Sequence, residues 1–433
     1  MLLVYSHQIT PRLKYVFRHI CSRILHIPVS FTSIIEEFIA HDDLKISYTK
    51  QPLSNEFFVQ SHDLLFQQGI SDLDINVQDW DGVKCFFAAG DKSVLPYDIF
   101  AASFYLLSRY EEYLPHVKDE YGRFTAEESL AYKNGFLEFP VVDIWAYRFI
   151  SFLETYFPNY DFIKRKYNVI PVIDVPVAYF FKYKGLLRTI GGCLIDLYRF
   201  KFKQFYNRIL VIFNVKRDPY DTFKWIINKQ KQFSSHFIFF FLIGGYSTYD
   251  KNISINKKRF ISLIKSASDY SEVGIKSSYY ALTDSNLSKQ EIQKLNTITN
   301  FSVSSNRNSF SKISIPDTYR HLIELEIKKD FTMGYINHVG FRAGTCTPFL
   351  FYDLDFEIQT PLLIYSFNFI DNAFLKYASL LDKNQKLQRL INSVKSVDGT
   401  FVPIFHNYSL SDLDQWKGFK KMFSTILDSV NEK

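Results

Sequence analysis

The stretch VIPVIDVPVAYFF, Val169–Phe181, decides how the second half of this 433-residue chain is read. Val169, Ile170, Val172 and Ile173 are β-branched, and branched side chains pack well on a pleated surface. The run ends on one carboxylate, Asp174, with Val175 and Pro176 behind it. An apolar run that stops on an acid predicts a buried strand delivering a polar group to its C-terminal end. Downstream the same grammar repeats. Strands are predicted over Val169–Ile173, His236–Leu242, Glu272–Ile275, His338–Phe341, Leu362–Phe367 and Phe401–Phe405. Helices are predicted over Pro219–Phe233, Lys257–Tyr270, Ser288–Thr297, Asp371–Leu380, Lys383–Val397 and Ser411–Val430. Such alternation predicts an α/β fold with a parallel sheet or barrel. Functional groups then collect at C-terminal strand ends, which here carry Asp174, Lys276, Arg342 and His406.

Upstream, residues 1–165 read as a separate mixed α/β domain, and 166–433 as a second. The polar, turn-forming FPNYDFIKRKYN marks the boundary. MLLVYS is a short strand, and Thr10-Pro11 opens a helix as cap and first residue. KCFFAAG reads as a strand and PYDIFAASFYLLSRYEEYLP as one helix stopped by Pro115. Arg109, Glu111 and Glu112 form a charged helix end, read as a solvated face or an interdomain contact rather than a catalytic group. The first 165 residues hold 15 basic and 22 acidic residues, a balance of −7, so the remainder carries +13 of the total +6. Charge split in this way suits two units with different surfaces.

Composition removes several function classes. With 47% hydrophobic and 22% charged residues the chain is globular, not disordered. The 44 Phe and 29 Tyr support large cores, with sugar-stacking surfaces a second use. Cys21, Cys85, Cys193 and Cys346 are too scattered for a disulfide framework or a thiolate zinc site. A reducing, cytoplasmic setting fits them. No run reaches the ~18 apolar residues of a membrane span. The opening apolar stretch is too short for a signal peptide. One insertion stands apart: residues 182–217 carry nine basic residues and one acid, Asp196, among Leu, Ile, Phe and Tyr. It reads as a basic amphipathic helical excursion, either a lid over the strand ends or a membrane-surface contact. No nucleic-acid reader motif accompanies it.

The longer phrases bring a family into view. LPYDIFAASFYLLSRYEEYLPH, RFTAEESLAYKNGFLEFPVVDIW, LLRTIGGCL, FFFLIGGYSTYDKN, MGYINHVGFRAGTCTPFLFYDL and GTFVPIFHNYSLSD resemble a two-domain bacterial branch of the polysaccharide deacetylase family. The resemblance covers nearly the whole chain. It implies an N-terminal mixed α/β domain of unknown function followed by a distorted (β/α) barrel. It also implies metal-dependent removal of acetyl groups from N-acetylated sugars. A divalent ion, typically zinc on one Asp and two His, would activate water and polarise the carbonyl. A second Asp would serve as base and a His as acid.

Carried over position by position, Asp174 matches the base, His406 the acid and Arg342 the orienting arginine. Arg307 also survives, and Tyr279 stands with Arg307 and Lys276 as a substrate-pocket candidate. The metal ligands do not survive: Pro176 stands for the carboxylate, Lys276 and Ser309 for the two histidines. Proline offers no ligand atom, and a lysine ammonium offers no lone pair. The reading is therefore a deacetylase-like protein of bacterial surface-polysaccharide metabolism with a degenerate metal site and no cofactor, binding an N-acetylated glycan. Arg342 or Lys276 would neutralise Asp174. One alternative is an active hydrolase using Asp174 and His406, with no metal or with zinc on groups such as His236, His338 and Asp353. A second is a membrane-surface or scaffold protein acting through residues 182–217.

Overall fold

The computed structural model describes residues 1–233, 236–377 and 379–430. Four parallel strands, β1 (Leu2–Tyr5), β2 (Val29–Thr32), β3 (Lys45–Thr49) and β4 (Phe58–Gln60), form a first sheet in the order β2-β1-β3-β4. Helix α1 (Pro11–Phe17) opens as expected, with the Thr10 hydroxyl accepting from the Leu13 amide at 3.1 Å. Helices α2 (Ile99–Leu107) and α3 (Val141–Tyr156) are the longest others in this region.

The second half is built on nine strands: β5 (Val172–Val175), β6 (Ile238–Leu242), β7 (Glu272–Ser277), β8 (Ser305–Asn308), β9 (Lys329–Asp330), β10 (Phe349–Asp353), β11 (Ile358–Ile364), β12 (Phe369–Ile370) and β13 (Pro403–His406). Their order is β10-β11-β9-β8-β7-β6-β5-β13-β12. Every neighbouring pair is parallel except β10 and β11. This is the mixed α/β, largely parallel architecture expected from VIPVIDVPV. The sheet centre is dry: all five residues of β6, Ile-Phe-Phe-Phe-Leu, are buried, as a parallel strand covered on both faces requires.

Three local readings are corrected. His338–Phe341 forms no strand; it is a loop carrying Gly340, whose φ of +131° and lack of a Cβ let its backbone lie against the Leu137 carbonyl. Asp371–Leu380 is not one helix but a 3₁₀ segment, Asp371–Lys376, followed by a new helix from Leu380. The single helix predicted from Pro96 to Pro115 breaks at Arg109, which adopts a left-handed φ of 54°. That break aims the Arg109 guanidinium at Glu112 (2.8 Å) and Glu111 (2.7 Å), and it donates to the Arg342 carbonyl as well.

The two halves share one core, which runs from Leu2 to Leu427. Buried ion pairs cross between them. Arg342 grips Glu112 through Nε (2.9 Å) and Nη2 (2.6 Å), and Arg12 pairs with Glu357. Hydrogen bonds cross as well: Asp143, paired with Arg165 of its own half (2.7 Å), accepts from the Thr345 hydroxyl (2.6 Å) and the Cys346 amide (2.9 Å). Arg109, Glu111 and Glu112 are therefore a contact between the halves, not a solvated face. All four cysteines are free. Among the described residues no helix is long and apolar enough to cross a membrane.

Burial by itself would raise the Glu112 pKa, but Arg342 and Arg109 outweigh it and hold it at about 2, below the ordinary 4.5. A depressed carboxyl stabilises the fold fully above its unfolded pKa and loses that contribution as pH falls through its folded one. Urea unfolding between pH 7 and pH about 2 should show stability falling below the ordinary carboxylate range. Glu112→Gln should lower neutral-pH stability by about 3 kcal/mol and flatten that part of the profile.

Candidate functional site

Strand register assembles the site. In β13 against β5, His406 stands beside Asp174; in β7 against β8, Lys276 stands beside Arg307. β6 lies between the two pairs, with Phe240 opposite Asp174 and Leu242 opposite Lys276. Long cations reach across this apolar strand. Asp174 Oδ2 accepts from Lys276 Nζ at 2.8 Å and from Arg307 Nε at 2.9 Å. All three residues are buried. The Arg307 fork is locked further by the Phe331 carbonyl (2.8 Å) and the Ser311 hydroxyl (3.2 Å).

His406 Nε2 faces the same Asp174 oxygen at 3.6 Å. Its Nδ1 lies 2.7 Å from Asp371 Oδ1, and its amide donates to Asp371 Oδ2 at 2.6 Å. A carboxylate only accepts, so Nδ1 carries the proton and Nε2 is turned to the cleft. The imidazole also stacks on Tyr408, centroids 4.6 Å apart. The ring therefore has one fixed orientation.

These groups line a cleft of about 520 Å³ at the C-terminal strand ends. Asp174, Lys276, Arg307 and His406 all face it, and so do Pro176 and Ser309. The three positions where the resemblance places metal ligands thus converge on one cavity. Tyr249, Phe310 and Tyr408 form its aromatic wall. Tyr279 stands behind that wall, its ring stacked on Tyr249 at 3.9 Å. Phe310 and Ser311 hold left-handed backbone, φ 59° and 48°. Strain of this kind in non-glycine residues persists where surrounding structure over-determines it, commonly at ligand sites.

Arg342 is not part of this cleft. It pairs with Glu112, and Arg307 takes the place expected for it at Asp174. His236, His338 and Asp353 do not assemble either: they pair with Glu272, Glu127 and Arg320 respectively. Among the described residues no group of three or more His, Cys, Asp or Glu is arranged to hold a metal. Sequence reading missed Asp371 and Asp250. Asp371 follows a two-residue strand, too short to show a pattern. Asp250 sits in the loop after β6 and accepts from the Tyr279 amide at 2.8 Å.

Zinc fits these residues poorly. At the three positions where the resemblance places ligands, Lys276 brings an ammonium paired with Asp174, and Pro176 and the neutral Ser309 hydroxyl add no strong donor. The electrostatics follow from the cations. Burial would raise the Asp174 pKa, but Lys276, then Arg307 and His406, hold the carboxyl well below the usual range. Burial likewise depresses Lys276, and Asp174 and Asp250 offset part of that. One carboxylate oxygen remains unpaired in the buried wall, Asp174 Oδ1, while the Ser309 hydroxyl favours the charged form of Asp250 by hydrogen bonding. A buried acceptor without a partner is where a ligand hydroxyl or amide gains most.

Comparison with known proteins adds the following. Residues 2–158 match a family of unknown function (DUF7033). No curated protein matches the chain. Among solved structures, a polysaccharide deacetylase from Bacillus cereus is 12% identical with a TM-score of 0.31, covering 62% of this chain and 88% of that one. A Mycobacterium smegmatis protein assigned to the polysaccharide deacetylases is 11% identical with a TM-score of 0.39, covering 62% and 86%. A CE4 family pseudoenzyme from Bacillus anthracis is 11% identical with a TM-score of 0.32, covering 63% and 64%. At these scores the likeness is remote.

Asp174→Asn should expose the logic of the buried cluster. It leaves Lys276 and Arg307 facing each other without their shared anion, and should cost about 3–5 kcal/mol in urea unfolding. Adding Lys276→Met to that variant should recover much of the loss. Additive effects would show that the two groups are not energetically coupled.

Proposed function

We propose that the chain is a polysaccharide-deacetylase-like protein of bacterial surface-polysaccharide metabolism that binds an N-acetylated glycan in the Asp174 cleft without metal-dependent hydrolysis. In this reading residues 1–165 and 166–433 are its two modules, and it works in the cytoplasm. One observation carries the proposal: Lys276, at a position where the resemblance places a histidine ligand, puts its ammonium 2.8 Å from Asp174 Oδ2. A carboxylate held this far below neutrality is a weak general base, since base catalysis favours a pKa near the working pH. The cleft remains suited to a sugar. Its aromatic wall offers flat apolar faces, and the polar side chains of Lys276, Ser309 and His406 line it beside them.

A second reading has one observation in its favour. The His406–Asp371 pair presents Nε2 toward the cleft, as a general acid would. Under that reading the chain is a hydrolase acting through Asp174 and His406.

Metal content, acetate release and oligosaccharide binding on the same purified sample separate the two. The binding reading expects no stoichiometric zinc, no acetate from an N-acetylglucosamine oligosaccharide, and saturable binding by calorimetry. Tyr249→Ala should weaken that binding about tenfold, the value of a lost aromatic contact. Stoichiometric zinc, or acetate release abolished by Asp174→Asn, would overturn it in favour of the hydrolase.

A further inference from the structure

The basic insertion folds as two helices, α4 (Leu186–Tyr198) and α5 (Phe202–Ile212), joined through a left-handed Phe200. Their mutual contact is specific. Arg208 Nε donates to Asp196 Oδ2 at 2.8 Å, and both are buried. Gly192 admits the Arg208 guanidinium against its backbone, where a Cβ would meet Nη1 at 2.4 Å. The single acid of the segment is therefore spent inside the hairpin.

The outward face is apolar. On α4, Leu186, Leu187, Ile190, Leu194, Leu197 and Tyr198 share one side at helical spacing, and all are exposed, Leu187 by 88% and Tyr198 by 85%. On α5, Phe202 and Tyr206 continue it, and Phe213 follows at 72% exposure. Arg199, Lys201, Lys203, Lys216 and Arg217 are exposed in the same segment, with Lys203 Nζ 4.0 Å from the exposed Asp414. An apolar patch of this extent on a water-soluble surface marks an interaction site. Neither helix can span a bilayer.

We infer that this hairpin docks in the headgroup layer of an anionic phospholipid bilayer. Charge chooses the occupant. A second copy of the chain would bring its own cations against these, with no exposed acid in the segment to meet them. An anionic bilayer supplies both what the apolar stripe needs and what the flanking cations need. The hairpin leaves the sheet from the C-terminal end of β5, the end that carries Asp174. Arg188 of α4 lies 4.6 Å over the Tyr246 ring and donates to the Asn252 carbonyl, in the loop that also brings Tyr249 and Asp250 to the cleft. Docking would thus set the cleft beside the lipid surface. This inference does not depend on what the cleft binds.

Co-sedimentation of the full chain with vesicles tests it, using phosphatidylcholine alone and an equimolar mixture with phosphatidylglycerol. Binding is expected to the anionic vesicles, weakening as salt rises. Lys201→Gln and Lys203→Gln should each lower partitioning about fivefold. The pair Leu187→Asp with Leu194→Asp should lower it more than tenfold. All four positions are exposed, so thermal melts should stay as in the parent chain. The inference is overturned if the parent chain stays in the supernatant with both vesicle types, or if the Leu→Asp pair sediments as the parent does. A dimer by light scattering that the Leu→Asp pair dissociates, without vesicle binding, would assign the face to a second copy instead.

Discussion

A carboxylate buried at the end of a central strand must be balanced by a cation, and the second half of this protein is organised around that requirement. Asp174 is removed from water on β5, where an uncompensated charge would be prohibitively costly. Lys276 and Arg307 supply the balance from the two strands beyond β6. The apolar side chains of β6 keep the three groups in a dry setting, where each interaction is stronger than it would be in water. Arg307 in turn is fixed by Phe331 and Ser311, so the strand ends β5, β7 and β8 are tied to one another by a single carboxylate oxygen.

The same device is used again where the two halves meet. Glu112 lies between Arg109 and Arg342, and the helix breaks at Arg109 so that its side chain can reach. The left-handed backbone there is tolerable because three buried partners hold it. Removing Arg342 from the cleft has a consequence for the cleft itself. The arginine beside Asp174 comes from β8, and its Nε contact leaves Asp174 Oδ1 without a hydrogen-bond partner.

How much of this was legible in the sequence depends on the length scale of each signal. The strand ending on Asp174 was visible because four branched residues precede the acid. His406 was visible as a strand-end residue, and Lys276 as a basic residue in an otherwise apolar run. Their convergence follows from register in a parallel sheet, which places strand ends on one side. Arg342 and Glu112 are 230 positions apart, and nothing local to either stretch encodes their pairing. The same holds for the choice between Arg307 and Arg342 as the partner of Asp174. Asp371 follows only Phe369 and Ile370, too few residues to show a period of two. The false strand at His338–Phe341 had the composition of a strand but contained Gly340, which serves a backbone contact with Leu137 rather than a ladder.

Charge accounting explains why the three replaced positions belong together. The resemblance implies an ancestral-type site of one dication between two carboxylates, at the positions of Asp174 and Pro176, with two neutral histidines. That arrangement sums to zero. Here one ammonium, Lys276, faces one remaining carboxylate, Asp174, so the exchanged positions again sum to zero, while Arg307, which survives in both arrangements, adds the same charge to each. Exchanging histidine for lysine while keeping the dication would add one positive charge to a buried site. Losing the carboxylate at position 176 alone would leave a dication half balanced. Ser309 in place of histidine changes no charge. The changes at 176 and 276 are each unfavourable alone in a low-dielectric cleft, and together they leave the net charge as it was. On this accounting the Lys276–Asp174 salt bridge supplies the positive charge that Asp174 needs, beside the aromatic wall of the cleft.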